Sequence, residues 1–159
     1  MFEIKGGNMN TALYAGSFDP FTNGHLDILE QALQIFDKVI VAVANNSDKK
    51  SFLSVDKRLE IIRACTKNFE NTEVVAYEGL TVEYAKQHGA NVLVRGVRNS
   101  ADFEYELQIS GVNNHLAPDI KTVLLTPSPE NALISSTIVR EIYLNGGDIS
   151  KFVPYVWKD

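Results

Sequence analysis

The chain has 159 residues, 45% hydrophobic and 22% charged, an ordinary balance for one globular domain that excludes a disordered or fibrous chain. A formal net charge of -5 argues against nucleic acid or an anionic membrane as partner, so an anionic ligand would have to be met by a local basic cluster. The one cysteine, Cys65, excludes an internal disulfide and fits a reducing, cytoplasmic setting.

Residues 1–8 lack the apolar stretch of a signal peptide and read as a loose extension before a second methionine, Met9. Residues 9–159 then form a single domain. The first apolar run, residues 11–15, predicts a strand. It is followed by a helix over residues 24–36 with Leu26, Leu29, Leu33 and Phe36 on one stripe. Residues 37–44 are the second strand, and Ser54 caps a helix running to about residue 68. A third strand covers residues 73–77, and Thr81 caps a helix stopped by Gly89. Residues 91–95 form the fourth strand. A long helix over residues 101–116 follows, with Gly111 as its weak point. Residues 121–126 are the fifth strand, Ser135 or Ser136 opens the last helix, and residues 152–157 suggest a short docked turn.

This alternation predicts an α/β, Rossmann-like open sheet of five parallel strands, rich in β-branched residues, with helices on both faces. No apolar run approaches the ~18 residues of a membrane span. In such a sheet, ligands bind beyond the carboxyl ends of the strands, near the point where strand order reverses. The loops after strands one, two, four and five are therefore the places to look for chemistry.

The first of these is Tyr14-Ala-Gly-Ser-Phe-Asp-Pro-Phe-Thr-Asn-Gly-His25, with Ser17, Asp19, Thr22 and His25 gathered before a helix. Free N–H groups and partial positive charge at that helix start favour a phosphate, and a glycine lets backbone approach it. The plainer alternative is that Asp19 and Thr22 cap the helix while His25 packs. After strand two, Lys49 and Lys50 lie in a polar loop, where an ammonium can follow moving phosphate charge or simply be solvated. Strand four ends in Arg95-Gly-Val-Arg98, two guanidiniums that could grip a polyphosphate or pair with the acidic residues 102–106. Ser135, Ser136 and Thr137 either cap the last helix or receive phosphate and ribose. His88 and His115 have no metal-ligand spacing, and P-loop, dinucleotide and nucleophile-elbow motifs are absent.

Taken together, three segments resemble the nucleotidyltransferases bearing the [HT]-x-G-H motif, here Thr22-Asn-Gly-His25, and within them the bacterial phosphopantetheine adenylyltransferases. The segments are Gly-Ser-Phe-Asp-Pro-Phe-Thr-Asn-Gly-His (16–25), Arg-Gly-Val-Arg-Asn-Ser-Ala-Asp-Phe-Glu-Tyr-Glu (95–106) and Ile-Ser-Ser-Thr (134–137), within a similarity running from about residue 10 to residue 154. The resemblance implies transfer of AMP from ATP to 4′-phosphopantetheine, giving dephospho-coenzyme A and pyrophosphate, with Mg2+ carried by ATP and water and no protein side chain assigned as its ligand. It implies that His25 contacts the α-phosphate, that Ser17, Lys49 and Arg95 hold the incoming phosphate, and that Leu80, Thr81 and Asn113 line the pantetheine arm. It further implies that Arg98, Ser136 and Thr137 receive the β- and γ-phosphates, that Glu106 lies near the ribose, and that Ser17, Phe18 and Ser135 contribute on the nucleotide side. A homohexamer and feedback by coenzyme A are implied as well. Thr137 keeps the hydroxyl of the family's third serine, whereas Asn131 stands where an aromatic residue is frequent. Two other readings remain: another adenylyl- or cytidylyltransferase of the superfamily, and a non-catalytic nucleotide-binding sensor.

Overall fold

The computed structural model describes residues 9–46 and 49–157; the extension expected over residues 1–8 lies outside the described residues. Five strands, β1 (Thr11–Gly16), β2 (Lys38–Ala44), β3 (Thr72–Tyr77), β4 (Val92–Gly96) and β5 (Lys121–Leu125), alternate with five helices. The helices are α1 (Asn23–Ile35), α2 (Val55–Thr66), α3 (Thr81–Gln87), α4 (Ser100–Leu116) and α5 (Ser136–Leu144). All strand pairs are parallel and the order is β3-β2-β1-β4-β5, the Rossmann-like arrangement the alternation predicts.

The period of two along each strand divides the core into two layers. Ala12 and Tyr14 of β1, with Val39, Val41 and Val43 of β2, pack against Ile28, Leu29 and Ala32 of α1 and Leu59, Ile61 and Ile62 of α2. Val139 of α5 joins that layer, as do Val153 and Trp157 of the tail, so the expected docked turn is present. On the other face, Leu13, Ala15, Ile40, Ala42 and Leu93 meet Val82 and Ala85 of α3. Full burial of each large aliphatic side chain contributes roughly 1.5–3 kcal/mol, which fixes β1 and β2 as the rigid centre.

The chain leaves β1 to build β2 and β3 on one side, then crosses to build β4 and β5 on the other. The switch point therefore lies between β1 and β4, in register Ala12↔Val92, Leu13↔Leu93 and Tyr14↔Val94. Both strands end there in glycine. A Cβ on Gly96 would approach Ile28 Cγ1 to 3.2 Å, so α1 can lie this close to the strand end only over a residue without a side chain.

Three local expectations are corrected. Thr81 is not the cap of α3: Leu80 holds that place without a side-chain hydrogen bond, and the Thr81 hydroxyl instead meets the Tyr77 phenol at 2.8 Å. Nor does Gly111 interrupt α4, which runs unbroken to Leu116; a Cβ there would meet nothing within 4 Å, so the glycine costs only about 1 kcal/mol of helix propensity. The helix expected to run to residue 68 ends at Thr66.

Candidate active site

The site begins with the loop that leaves β1. A Cβ on Gly16 would lie 3.1 Å from the Phe18 ring, so glycine is what allows that ring to fold back under the strand end. Phe18 itself has φ 47, a conformation uncommon without glycine, and is held there by ring contacts with Tyr14, Phe21 and His25. Asp19 does not cap α1. Its two carboxylate oxygens accept the amides of Phe52 and Leu53 at 2.7 and 2.8 Å, fastening the loop to the approach of α2.

Thr22 does cap α1, and it does so jointly with His25. The His25 amide donates to Thr22 Oγ1 at 3.3 Å, and His25 Nδ1 accepts from the Thr22 amide at 3.0 Å. Because a backbone N–H can only donate, Nδ1 is the unprotonated nitrogen and the neutral ring carries its hydrogen on Nε2. Burial lowers the pKa of the ring to about 4, and the charges of Arg98 and Arg95 act in the same direction. The ring, stacked on Phe21 and edge-on to Phe18, is thus a neutral N–H donor at pH 7. Capping and cavity-lining belong to the same residue.

Arg95, at the end of β4, is gripped by Glu106 of α4 through two parallel bonds, Nε to Oε2 at 2.9 Å and Nη2 to Oε1 at 2.7 Å. Its Nη1 donates to the Ala15 carbonyl at 2.6 Å, tying β4 back to β1. Burial opposes the charge, but the hydrogen bonds and charge of Glu106 outweigh it and the pKa is raised. Arg98 pairs with Asp102 through Nε at 2.9 Å, and its Nη1 lies 3.4 Å from the Ile134 carbonyl of the facing loop. The acidic start of α4 therefore orients both arginines.

The opposite wall is the β5–α5 loop and the first turns of α5. Ser135 is the cap of α5, accepting from the Ile138 amide at 3.2 Å, while the Ser136 hydroxyl donates to the Pro20 carbonyl at 2.8 Å. One turn on, Arg140 donates to the Asp19 carbonyl at 2.7 Å and to Thr137 Oγ1 at 3.1 Å. This loop is anchored to α1 by Asp27, whose Oδ2 accepts from the Ser128 amide, the Ser128 hydroxyl and Asn131 Nδ2 at 2.7, 2.6 and 3.0 Å. Desolvation would raise its pKa, but these bonds, with one from Gln31, prevail and hold it at about 2. Asn131, where an aromatic residue is frequent, here serves that anchor.

These walls enclose a cavity of about 430 Å³ at the switch point. Ser17, Phe18, His25, Arg95, Arg98, Glu106, Ser135, Ser136 and Thr137 all line it. Lys49, Leu80, Thr81 and Asn113 do not. Lys49 is exposed in the β2–α2 loop, Leu80 and Thr81 open α3, and Asn113 lies near the end of α4. A second depression, lined by Asn45, Asn46, Tyr77, Glu78 and Gly79, lies at the carboxyl ends of β2 and β3, directly before Leu80. The sequence reading gave no site role to Ile28, Tyr105, Pro127 or Arg140, which also line the cavity; for Arg140 the spacing of one turn from Ser136 and Thr137 was the available signal.

The cavity presents three guanidiniums, Arg95, Arg98 and Arg140, against two carboxylates, Asp102 and Glu106. A chain of net charge -5 thus has a locally cationic crevice, suited to a polyanion. Among the described residues no three His, Cys, Asp or Glu side chains are grouped as a metal site, and both cavity carboxylates are engaged by arginines. A dedicated metal centre built from this chain's side chains does not fit that donor set. No helix among the described residues is long and apolar enough to cross a membrane.

The fold is similar to that of two solved structures. A Vibrio parahaemolyticus protein provisionally named a nicotinate-nucleotide adenylyltransferase matches with a TM-score of 0.67 at 19% identity, covering 93% of this chain and 95% of that one. A lipopolysaccharide core biosynthesis protein from Thermoplasma volcanium GSS1 matches with a TM-score of 0.54 at 19% identity, covering 76% of this chain and 98% of that one. At the level of sequence, residues 13–142 match the family described as Cytidylyltransferase-like. Since that match runs from the middle of β1 into the last turn of α5, and so takes in every wall of the cavity, the chain belongs to the Cytidylyltransferase-like family of nucleotidyltransferases.

Proposed function

We propose that the protein is a phosphopantetheine adenylyltransferase, transferring AMP from ATP to 4′-phosphopantetheine with release of pyrophosphate, the penultimate step of coenzyme A synthesis. The observation that carries this reading is the meeting, in one cationic crevice, of His25 with Ser17 and Arg95 and with Arg98, Ser136 and Thr137. The sequence signature 95–106 supports the choice of acceptor, because its two arginines and its acidic residues are the ones that form the paired clamp.

In this reaction an oxygen of the acceptor phosphate forms a bond to the α-phosphorus of ATP, and the bond from that phosphorus to the bridging oxygen of the β-phosphate breaks. The leaving pyrophosphate takes the electron pair. An acceptor phosphate that is already ionised needs no general base, so positioning and charge stabilisation carry the rate. His25 Nε2–H donates to a non-bridging oxygen of the α-phosphate, Ser17 and Arg95 hold the acceptor phosphate with Lys49, and Arg98, Ser136 and Thr137 hold the β- and γ-phosphates. Arg140 adds charge on that side. Leu80, Thr81 and Asn113 lie along the pantetheine arm, which the depression before Leu80 suits. Mg2+ comes with ATP, held by its phosphates and water. Residues 9–159 act as one cytoplasmic domain, assembled as a homohexamer and inhibited by coenzyme A.

The test is an assay with magnesium, ATP or CTP in separate arms, and a panel of phosphorylated acceptors, reading pyrophosphate and the nucleotidylated product. Product with 4′-phosphopantetheine is expected. Turnover of nicotinate mononucleotide or of a polyol phosphate with CTP instead would replace this reading with another of the superfamily, and ATP binding without any product would make the protein a sensor.

A further inference from the structure

Arg58 of α2 is only 4% exposed, yet among the described residues no carboxylate lies within ion-pairing distance of it. Its Nη1 donates to the Ser17 carbonyl at 2.8 Å and to the Ala44 carbonyl at 3.3 Å, and its buried Nε has no hydrogen-bond partner among the described residues. A buried guanidinium without a counter-ion is costly, and two carbonyl bonds offset only part of that cost. A methionine or leucine would fill an apolar place on α2 without this penalty. The position is also not incidental in the sheet: Ser17 follows the end of β1, and Ala44 is the last residue of β2.

We propose that Arg58 is a positioning residue for the acceptor phosphate. One nitrogen bridges the two adjacent loops, so the carbonyl side of Ser17 is fixed relative to the segment leading to Lys49. With its carbonyl held from within, the Ser17 hydroxyl is left to the cavity, and the strained Phe18 that follows is kept in its left-handed turn. This charge, which no described carboxylate pairs with, lies one residue from the site, where an incoming phosphate completes the balance. The nucleotide side has its own anchors in Asp102, Arg140 and Asp27, none of which touches Arg58. Arg58 therefore acts chiefly on the acceptor, the nucleotide keeping these other anchors.

This inference rests on the assignment of Ser17 and Lys49 to the acceptor, and its test separates the two. Arg58→Gln and Arg58→Lys are compared with wild type in the full chain, using whichever acceptor the wild-type protein adenylylates. Arg58→Gln should raise the acceptor KM at least tenfold and lower kcat, with the KM for ATP within about threefold. Arg58→Lys, which keeps the charge but bridges the carbonyls less well, should recover part of the acceptor KM. A merely structural role would move both KM values together or lower the active fraction alone, and either result overturns the proposal. The same variants are titrated with inorganic phosphate in the presence of α,β-methylene-ATP, following the Tm shift. Loss of the phosphate shift in Arg58→Gln, with the nucleotide shift retained, supports the role even if no acceptor on the panel reacts; an undiminished phosphate shift overturns it.

Discussion

Protonation of His25 would bury a cation against two aromatic rings, beside Arg98 and Arg95 at the N-terminus of α1. The native ring therefore refuses a proton that the unfolded chain, with an ordinary value of 6.5, accepts. Between that pH and about 4 the unfolded state binds more protons, so stability rises with pH and is lost as the pH falls through the window. Melting curves of the ligand-free protein should show this fall, and His25→Ala should flatten it; an equal slope in the variant would assign the loss to other groups. Under the proposed reaction the same substitution also removes the N–H offered to the α-phosphate. It should lower kcat by about 10²–10³ while ATP affinity stays within several-fold, as single-turnover kinetics and nucleotide titration would read. The motif 22–25 made this residue legible in the sequence. The partners of the Asp19 carboxylate and of Arg58, and those of Asp27 beyond Gln31, were not legible, because each lies between 14 and 104 residues away.

At the scale of elements, the strands emerged from the sequence within a residue or two because β-branched runs bounded by polar turns allow few other readings. The cap Ser54 was legible for the same local reason, and the last helix start was narrowed to Ser135 or Ser136, of which Ser135 is the cap, whereas Thr81 found a competing partner in Tyr77 and left the cap to Leu80. What spacing does not reveal is how one element is held against the next. Asp27 is such a joint: it fastens the helix that carries His25 to the loop that leads into Ser135 and Thr137. Asp27→Ala leaves the Ser128 and Asn131 donors without their acceptor, which should cost about 1–3 kcal/mol and loosen that wall. Denaturant unfolding should show the loss, and the KM for ATP should rise more than the KM for the acceptor. A variant with wild-type ATP kinetics would mean that the loop holds its place without this anchor.

For the molecule as a whole, α4 is the element least satisfied by its own chain. It buries one residue, Glu106, while Phe103, Tyr105, Leu107, Val112 and Leu116 stay about half-exposed. Single exposed apolar residues are ordinary, and Tyr105 borders the cavity, but Phe103 with Leu107 on one side of this helix and Val112 with Leu116 on the other leave apolar surface that association would cover. The proposed homohexamer gives that surface an occupant. Light scattering should return six times the chain mass, and the double variant Leu107→Glu/Val112→Glu should return a smaller species with the fold retained by circular dichroism. A monomeric wild-type mass would refute the assembly. Because α4 also supplies Glu106 and Asp102 to the arginines of the crevice, covering its flanks would steady the clamp from behind.

The capping box at the start of α1 has a further consequence for how such motifs are interpreted. One nitrogen of His25 closes the helix and the other faces the cavity, so the residue answers to two separate selective pressures. A descendant of this protein that had given up its chemistry would still lose roughly 0.5–2 kcal/mol by discarding the cap. In such a lineage the histidine would outlast the activity. Persistence of the four-residue motif is therefore a record of the helix start, and it is Arg98, solvent-exposed and paired only locally with Asp102, whose retention folding alone rewards less and that would report whether the reaction survives.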